Sequence, residues 1–161
     1  MQTRTATLDD AEPIRGIYNF YVAGSVATFD LEQRSLEEQL AWMRDRSGAF
    51  EVLVIIDQDE VAGFASLSPY KQRAAYRTTV ESSVYLHPNA VGKGLGRGLL
   101  AAVIDVARTH GFHSVIARIN ATMEPSLGLH EAMGYERVGV EREIGRKFGK
   151  WHDVQIMQLM L

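Results

Sequence analysis

The segment Val91–Gly98, VGKGLGRG, limits this chain more than any other. It lies between a β-rich run, Thr78–His87, and a stretch of helical apolar spacing, LGRGLLAAVIDVARTHG. The glycines at 92, 94, 96 and 98 let the backbone take positive φ and approach a ligand closely. Alternating glycines at a strand-to-helix junction also cost conformational entropy, so an idle turn is a poor explanation for them. The helix that follows brings unsatisfied N–H groups and the positive end of its dipole. With Lys93 and Arg97 beside it, the segment reads as a pyrophosphate site. The P-loop pattern G-x-x-x-x-G-K-[ST] and the dinucleotide pattern G-x-G-x-x-G are both absent from it.

The rest of the chain orders itself around this junction. A strand is predicted at Thr3–Thr7, then a helix capped by Asp9 or Asp10 with Pro13 in its first turn. Ile14, Ile17, Tyr18 and Tyr21 give that helix its apolar face. A loop, Gly24–Arg34, follows. Ser35 and Glu38 form a capping box for a second helix, with Leu36, Leu40 and Met43 on one face. Two β-rich runs flank Asp57–Glu60 as a hairpin. The long helix buries Leu95, Leu99, Val103 and Val106 and stops at Gly111. A strand SVIARIN, a short helix from about Pro125 to Gly134, and two strands near Glu136–Glu143 and Asp153–Leu161 complete the order. That order, β-α-α-β-β-β-α-β-α-β-β, predicts an α/β fold with a mixed, mostly antiparallel sheet and helices on both faces. Without a repeat or a linker, residues 1–161 read as one domain.

Composition removes several classes of function. The chain has no cysteine, which excludes a disulfide framework, a thiolate metal site and a cysteine nucleophile. A net charge of −3 gives no general attraction to nucleic acid or anionic membrane. No metal is expected, because the histidines at 87, 110, 113 and 152 do not fall into ligand spacing with carboxylates. The beginning MQTRTATLDDAEP lacks the apolar core of a secretory signal, so the expected location is cytoplasmic.

The loop resembles the acetyl-CoA signature R/Q-x-x-G-x-G/A of the GNAT acetyltransferases, here Val91-Gly92-Lys93-Gly94-Leu95-Gly96. Val91 departs from the usual Arg or Gln, which removes a side-chain contact and leaves the backbone contacts. Four segments in order, SVATF (25–29), TVESSVYLHP (79–88), LGLHEAMGY (127–135) and GKWHDV (149–154), are similar to the phosphinothricin and methionine sulfoximine (or sulfone) acetyltransferase group. The resemblance implies acetyl-CoA as co-substrate, no metal, and a small free amino acid analogue as acceptor. It implies transfer to the α-amine in a ternary complex, a role in herbicide or antibiotic resistance, and a homodimer. It also implies cofactor contacts at Val84, Tyr85, Leu86, Gly92, Lys93, Gly94, Leu95, Gly96, Arg97, Asn120 and Ser126. Another small amine as acceptor (a polyamine, aminoglycoside or peptide), or a non-catalytic acetyl-CoA sensor, are the competing readings.

Attack by an amine requires loss of its proton first, so a base is needed. Strict alternation puts Glu81 with Thr79, Ser83 and Tyr85 on one strand face. As residues alone, that is equally a solvated strand carboxylate; the resemblance makes Glu81 the base and implies a bulge in this strand. His130 takes the slot often held by a Tyr that protonates the thiolate, and imidazole permits acid or base roles. Tyr135 is a second candidate acid. Asn120 also fits a turn-forming side chain. Arg73, Tyr76 and Arg77 are candidates for the acceptor's acidic oxygens, with a solvated basic loop as the plain alternative. Phe29 is a candidate apolar wall for the acceptor or a loop anchor.

Overall fold

The structure, a computed structural model, describes residues 2–161. Among the described residues, seven strands form one sheet in the order β1-β2-β3-β4-β5-β7-β6. The strands are β1 (Gln2–Thr5), β2 (Leu53–Asp57), β3 (Glu60–Pro69), β4 (Thr79–Leu86), β5 (Ser114–Asn120), β6 (Glu136–Lys147) and β7 (Lys150–Met160). The helices are α1 (Ala11–Gly24), α2 (Leu36–Arg44), α3 (Leu95–Thr109) and α4 (Glu124–Ala132). The element order is the predicted one. β4 and β5 run parallel, joined by α3, while the other neighbours are antiparallel.

Each sheet face has its own core. On one side α3 buries Leu99, Leu100, Val103 and Ile104 against Leu67, Val80, Val115 and Met157. On the other, Ile14, Ile17, Tyr18 and Met43 of α1 and α2 cover Val54 and Phe64. Full burial of such aliphatic side chains contributes about 1.5–3 kcal/mol each. The sheet is thereby fixed from both faces, and its middle strands are rigid.

Local chemistry sets the connections. Gln58 and Asp59 sit at φ 52° and 64°, which gives the β2–β3 hairpin a two-residue turn whose twist suits the strands. Phe148 and Gly149, at φ 53° and 73°, do the same for β6–β7. That turn carries both strands past their expected limits, through Lys147 and Lys150. A break in register between Glu141 and Gly145, with Glu143 at φ 51°, absorbs the extra length.

Two helix details differ from expectation. Asp10 stands at the start of α1, but its carboxylate accepts from the Thr7 N–H (2.7 Å) and from both terminal nitrogens of Arg4 (2.7 and 2.9 Å). It ties β1 to the turn instead of capping α1. In α2 the capping box of Ser35 and Glu38 is present, yet Leu36 is exposed and Gln39 is fully buried in its place. Its Oε1 accepts from Arg34 (3.3 Å), while its Nε2 is buried with no hydrogen-bond partner among the described residues.

Candidate active site

The cleft arises where β4 and β5 part. They pair only at Thr79–Glu81 against Ser114–Ile116, and then continue unpaired to Leu86 and Asn120. Each can leave the other because its far edge is fully held: β4 by β3 from Pro69 to Gly63, β5 by β7 from Met160 to Val154. The opening is a cavity of about 410 Å³. Its walls include β4 from Glu81 to Leu86, β5 from Ala117 to Asn120, and residues 26–29. Ser126, Leu129 and His130 of α4 also line it. β4 pairs with β3 without a shift of register, so the implied bulge is absent on that edge and alternation along β4 is strict. Val84 and Leu86 accordingly face α3, while Tyr85 turns to the other core. There it stacks on Phe64 (5.2 Å) and meets Tyr18 edge-on (5.3 Å).

Two of the four glycines have the expected positive φ, Gly92 (84°) and Gly94 (78°). Gly96 and Gly98 instead lie inside the first turn of α3. Their role is spatial: a Cβ on Gly96 would come within 3.3 Å of Leu129 and 3.4 Å of Leu86, both on the cleft wall. Beside Gly92 and Gly94 a Cβ would meet nothing within 4 Å, so the backbone there is open to a ligand. Gly96 and Val91 line the cavity; Leu95 is buried in the core under α3. Lys93 and Arg97 lie outside the cavity, and Lys93 faces Asp57 at 3.7 Å.

Glu81 lines the cleft at the point where the strands diverge. Burial raises its carboxyl above the usual range; the Arg118 charge opposes this, and Glu141 adds to it. A base so held binds a proton more avidly than a surface glutamate. His130 is buried, and its Nδ1 lies 2.8 Å from the Ser126 carbonyl. A carbonyl only accepts, so Nδ1 carries the hydrogen and Nε2 keeps a lone pair. Burial lowers the imidazole's affinity for a second proton. Tyr135 packs edge-on against His130 (5.0 Å), is not on the cavity wall, and bonds Ser82 at 3.3 Å. Burial pushes its hydroxyl up to about 12.

Asn120 fills the turn-forming role and leaves its amide nitrogen unpaired. Its Oδ1 accepts from the Thr122 N–H (3.0 Å) and hydroxyl (2.7 Å), which forms the turn. Its Nδ2 is buried with no hydrogen-bond partner among the described residues, in a side chain that lines the cleft. An unpaired buried donor costs about 1–3 kcal/mol, which a ligand acceptor would recover. Phe29 also lines the cleft, held by the backbone of Gly145 and by His152 at 6.0 Å between ring centres.

Arg73, Tyr76 and Arg77 are not brought to the cleft of this chain. They lie on the exposed β3–β4 connection, where Lys71 sits over the rings of Tyr70 and Tyr76. Two other cations occupy the region instead, and the sequence reading missed both. Arg118, on β5, lines the cleft and pairs with Glu141. Lys147, on β6, is buried and donates to the carbonyls of Thr28 (2.8 Å) and Tyr21 (3.4 Å), which fastens the loop bearing Phe29. Alternation along SVIARIN could have placed Arg118 on Glu81's face; nothing local marks Lys147.

A sheet split between two parallel strands, with a glycine-edged helix start at one end and a half-buried carboxylate at the other, defines a small-molecule group-transfer site. The model of the acetyltransferase (GNAT) domain matches residues 3–156, and the chain belongs to that family of acetyltransferases. It is 37% identical over 158 residues to a phosphinothricin N-acetyltransferase of Streptomyces coelicolor, covering 96% of this chain and 92% of that one. It is 37% identical over 162 residues to an L-methionine sulfoximine/L-methionine sulfone acetyltransferase of Salmonella typhimurium, covering 100% and 95%. An acetyltransferase structure from Salmonella typhimurium, solved with acetyl-CoA, superposes with a TM-score of 0.96 at 37% identity, covering 100% and 94%. The fold and the family implied by the sequence are therefore both found. Among the described residues no group of His, Asp or Glu is arranged to hold a metal ion, and no helix is long and apolar enough to cross a membrane.

Proposed function

We propose that residues 1–161 act as one domain that transfers the acetyl group of acetyl-CoA to the α-amine of a small amino acid analogue. Phosphinothricin, methionine sulfoximine and methionine sulfone are the acceptors the relatives' names suggest. The observation that carries this reading is the cleft between β4 and β5, with Glu81 at its closed end and the unpaired Asn120 Nδ2 on its wall.

The chain fits the donor. Open backbone at Gly92 and Gly94, with the α3 N-terminus behind it, suits the pyrophosphate. The unpaired edge of β4 suits the pantetheine amides, helped by Asn120 and Ser126, although Tyr21 already donates to the Leu86 carbonyl (2.7 Å). Acetyl-CoA supplies an activated acyl carbon and a thiolate leaving group. Glu81 takes the proton from the acceptor's ammonium, directly or through water. The neutral His130 has no proton on Nε2 to give and accepts a hydrogen bond there, so we assign it to orient the acceptor's amine and not to protonate the thiolate. Tyr135, held by Ser82 off the cleft wall, is a poor acid for the sulfur. Phe29 serves as an apolar wall. The chemistry needs no acyl-enzyme.

Exposed apolar side chains along β6 and β7, Val138, Val140, Ile144 and Trp151, favour a homodimer through this hairpin. Arg73, Tyr76 and Arg77 then remain acceptor contacts only if assembly brings them to a cleft. Neither a nucleic acid nor a membrane partner belongs to this reading, and its location is cytoplasmic.

The test is release of CoA from acetyl-CoA with phosphinothricin, methionine sulfoximine, methionine sulfone and spermidine compared. Saturable turnover on the first three, with spermidine inert and no labelled acetyl left on the denatured protein, is expected. Turnover on spermidine alone would remove the acceptor assignment.

A Cβ on Gly145 would fall 2.3 Å from the Phe29 ring, so Gly145→Ala must displace that ring. The expected result is a loss in kcat/KM of about 10- to 100-fold, the scale of small misplacements in such sites. Circular dichroism melting should change little. Unaltered kinetics would show that Phe29 only anchors the loop.

A further inference from the structure

Among the described residues, Arg118 is the one lysine or arginine on the cleft wall. It stands on β5 two residues beyond Ile116, and Ile116 is the parallel partner of Glu81. Residues two apart on a strand share a face, so the Glu81 carboxylate and the Arg118 guanidinium lie on the same side of the sheet, where the strands part. Arg118 donates through Nη2 to Glu141 of β6. A guanidinium has five N–H donors, and the Arg118 side chain donates no other hydrogen bond among the described residues. Its side chain is 40% exposed. Glu141 therefore aims the guanidinium without exhausting it.

The pattern of charge matches one kind of molecule. An α-amino acid carries its ammonium and carboxylate on the same carbon atom. A carboxylate and a guanidinium adjacent on one sheet face are complementary to that pair. We propose that Arg118 anchors the acceptor's α-carboxylate, while the adjacent Glu81 receives the ammonium, so that the pair selects α-amino acids over simple amines. Glu141 positions Arg118 through their ion pair. This inference rests on the acetyl-transfer reading above and deepens it. It differs from the expectation built on Arg73 and Arg77, because it uses a cation that this chain places in its own cleft.

The test compares L-methionine sulfone with its decarboxylated counterpart, methylsulfonyl-propylamine, on the wild type, Arg118→Met and Arg118→Lys. The readout is the ratio of kcat/KM for acid over amine. Wild type should favour the acid. Arg118→Met should reduce that ratio by about 10- to 100-fold, the scale of a hydrogen-bonded charge pair, and Arg118→Lys should restore part of it. A binding arm uses the desamino acid, methylsulfonyl-butanoate, by calorimetric titration without acetyl-CoA. Wild type should bind it more tightly than Arg118→Met by a similar factor.

Equal losses on acid and amine would mean that Arg118 acts only through Glu81, and would overturn the anchor. A wild type with no preference for the acid would overturn it too, with acetyl transfer intact. If the wild type acetylates neither compound, the acceptor assignment fails, and the binding arm decides alone. Tighter binding by wild type upholds the carboxylate site; equal binding removes it.

Discussion

Glu81→Gln is expected to lower kcat by about 100-fold or more, the scale of a lost general base. The substitution preserves shape and removes only the capacity to take a proton. It also relieves the chain of a carboxylate that burial disfavours in its charged form, so the melting temperature should hold or rise. Loss of activity without loss of stability separates a chemical role from a structural one. The pH profile gives a further check. Burial raises the Glu81 carboxyl, so the protonated form persists above the usual range. In the wild type, kcat/KM should fall as pH drops through that raised value, and the acid limb should lie above an ordinary glutamate's. In Glu81→Gln that limb should disappear, with activity following only the amine's own ionisation. A variant with wild-type rates at every pH would remove Glu81 from the mechanism.

Phe64→Ala is expected to cost about 3–5 kcal/mol of stability, the range for truncating a fully buried aromatic. Phe64 is 2% exposed and sits on β3 beneath α1. Its ring stacks on Tyr85 (5.2 Å) and meets Tyr18 (6.4 Å) and Trp42 (6.5 Å) edge-on. Removing it takes away several ring contacts at once and leaves a cavity the rigid sheet cannot close. The melting temperature should fall by roughly 10 °C, given about 2–4 °C per kcal/mol for a chain of this size. Tyr85 and Tyr21 line the cleft and lean on the same cluster, so KM should rise as well. Chemical denaturation with a matched urea series would measure it, and a loss below about 1 kcal/mol would mean that the cluster repacks around the gap.

The cluster also illustrates what alternation alone could not say. Period-two patterning placed Tyr85 with Glu81 on one face of β4, and the structure agrees. Yet Tyr85 packs among aromatic rings under α1 while Glu81 stands at the closed end of the cleft, where β4 still pairs with β5, because α1 covers the Tyr85 end of that face. The same lesson applies to glycine. The alternation of Gly92 to Gly98 marked a ligand-facing junction, but the four residues divide into two with left-handed backbone and two that thin the surface of a helix.

The resemblance to known acetyltransferases singled out Glu81, His130 and Asn120, whereas the order of elements, the glycine junction, the α2 capping box and the hairpin turn near Asp57–Glu60 are legible in the residues themselves. These depend on residues close in sequence, where backbone preference and short-range hydrogen bonds act without help from the rest of the fold. The parting of β4 and β5 after three paired residues is a property of the assembled sheet, because it depends on β3 and β7 holding their outer edges. The fold alone left Arg73, Tyr76 and Arg77 on an exposed connection, brought Arg118 beside Glu81, and set Lys147 and Gly145 against the loop that carries Phe29. Lys147 reaches Thr28 across 119 residues of chain. Such contacts are fixed by how the sheet closes and not by any local pattern, since a buried ammonium is tolerated only where distant carbonyls converge on it.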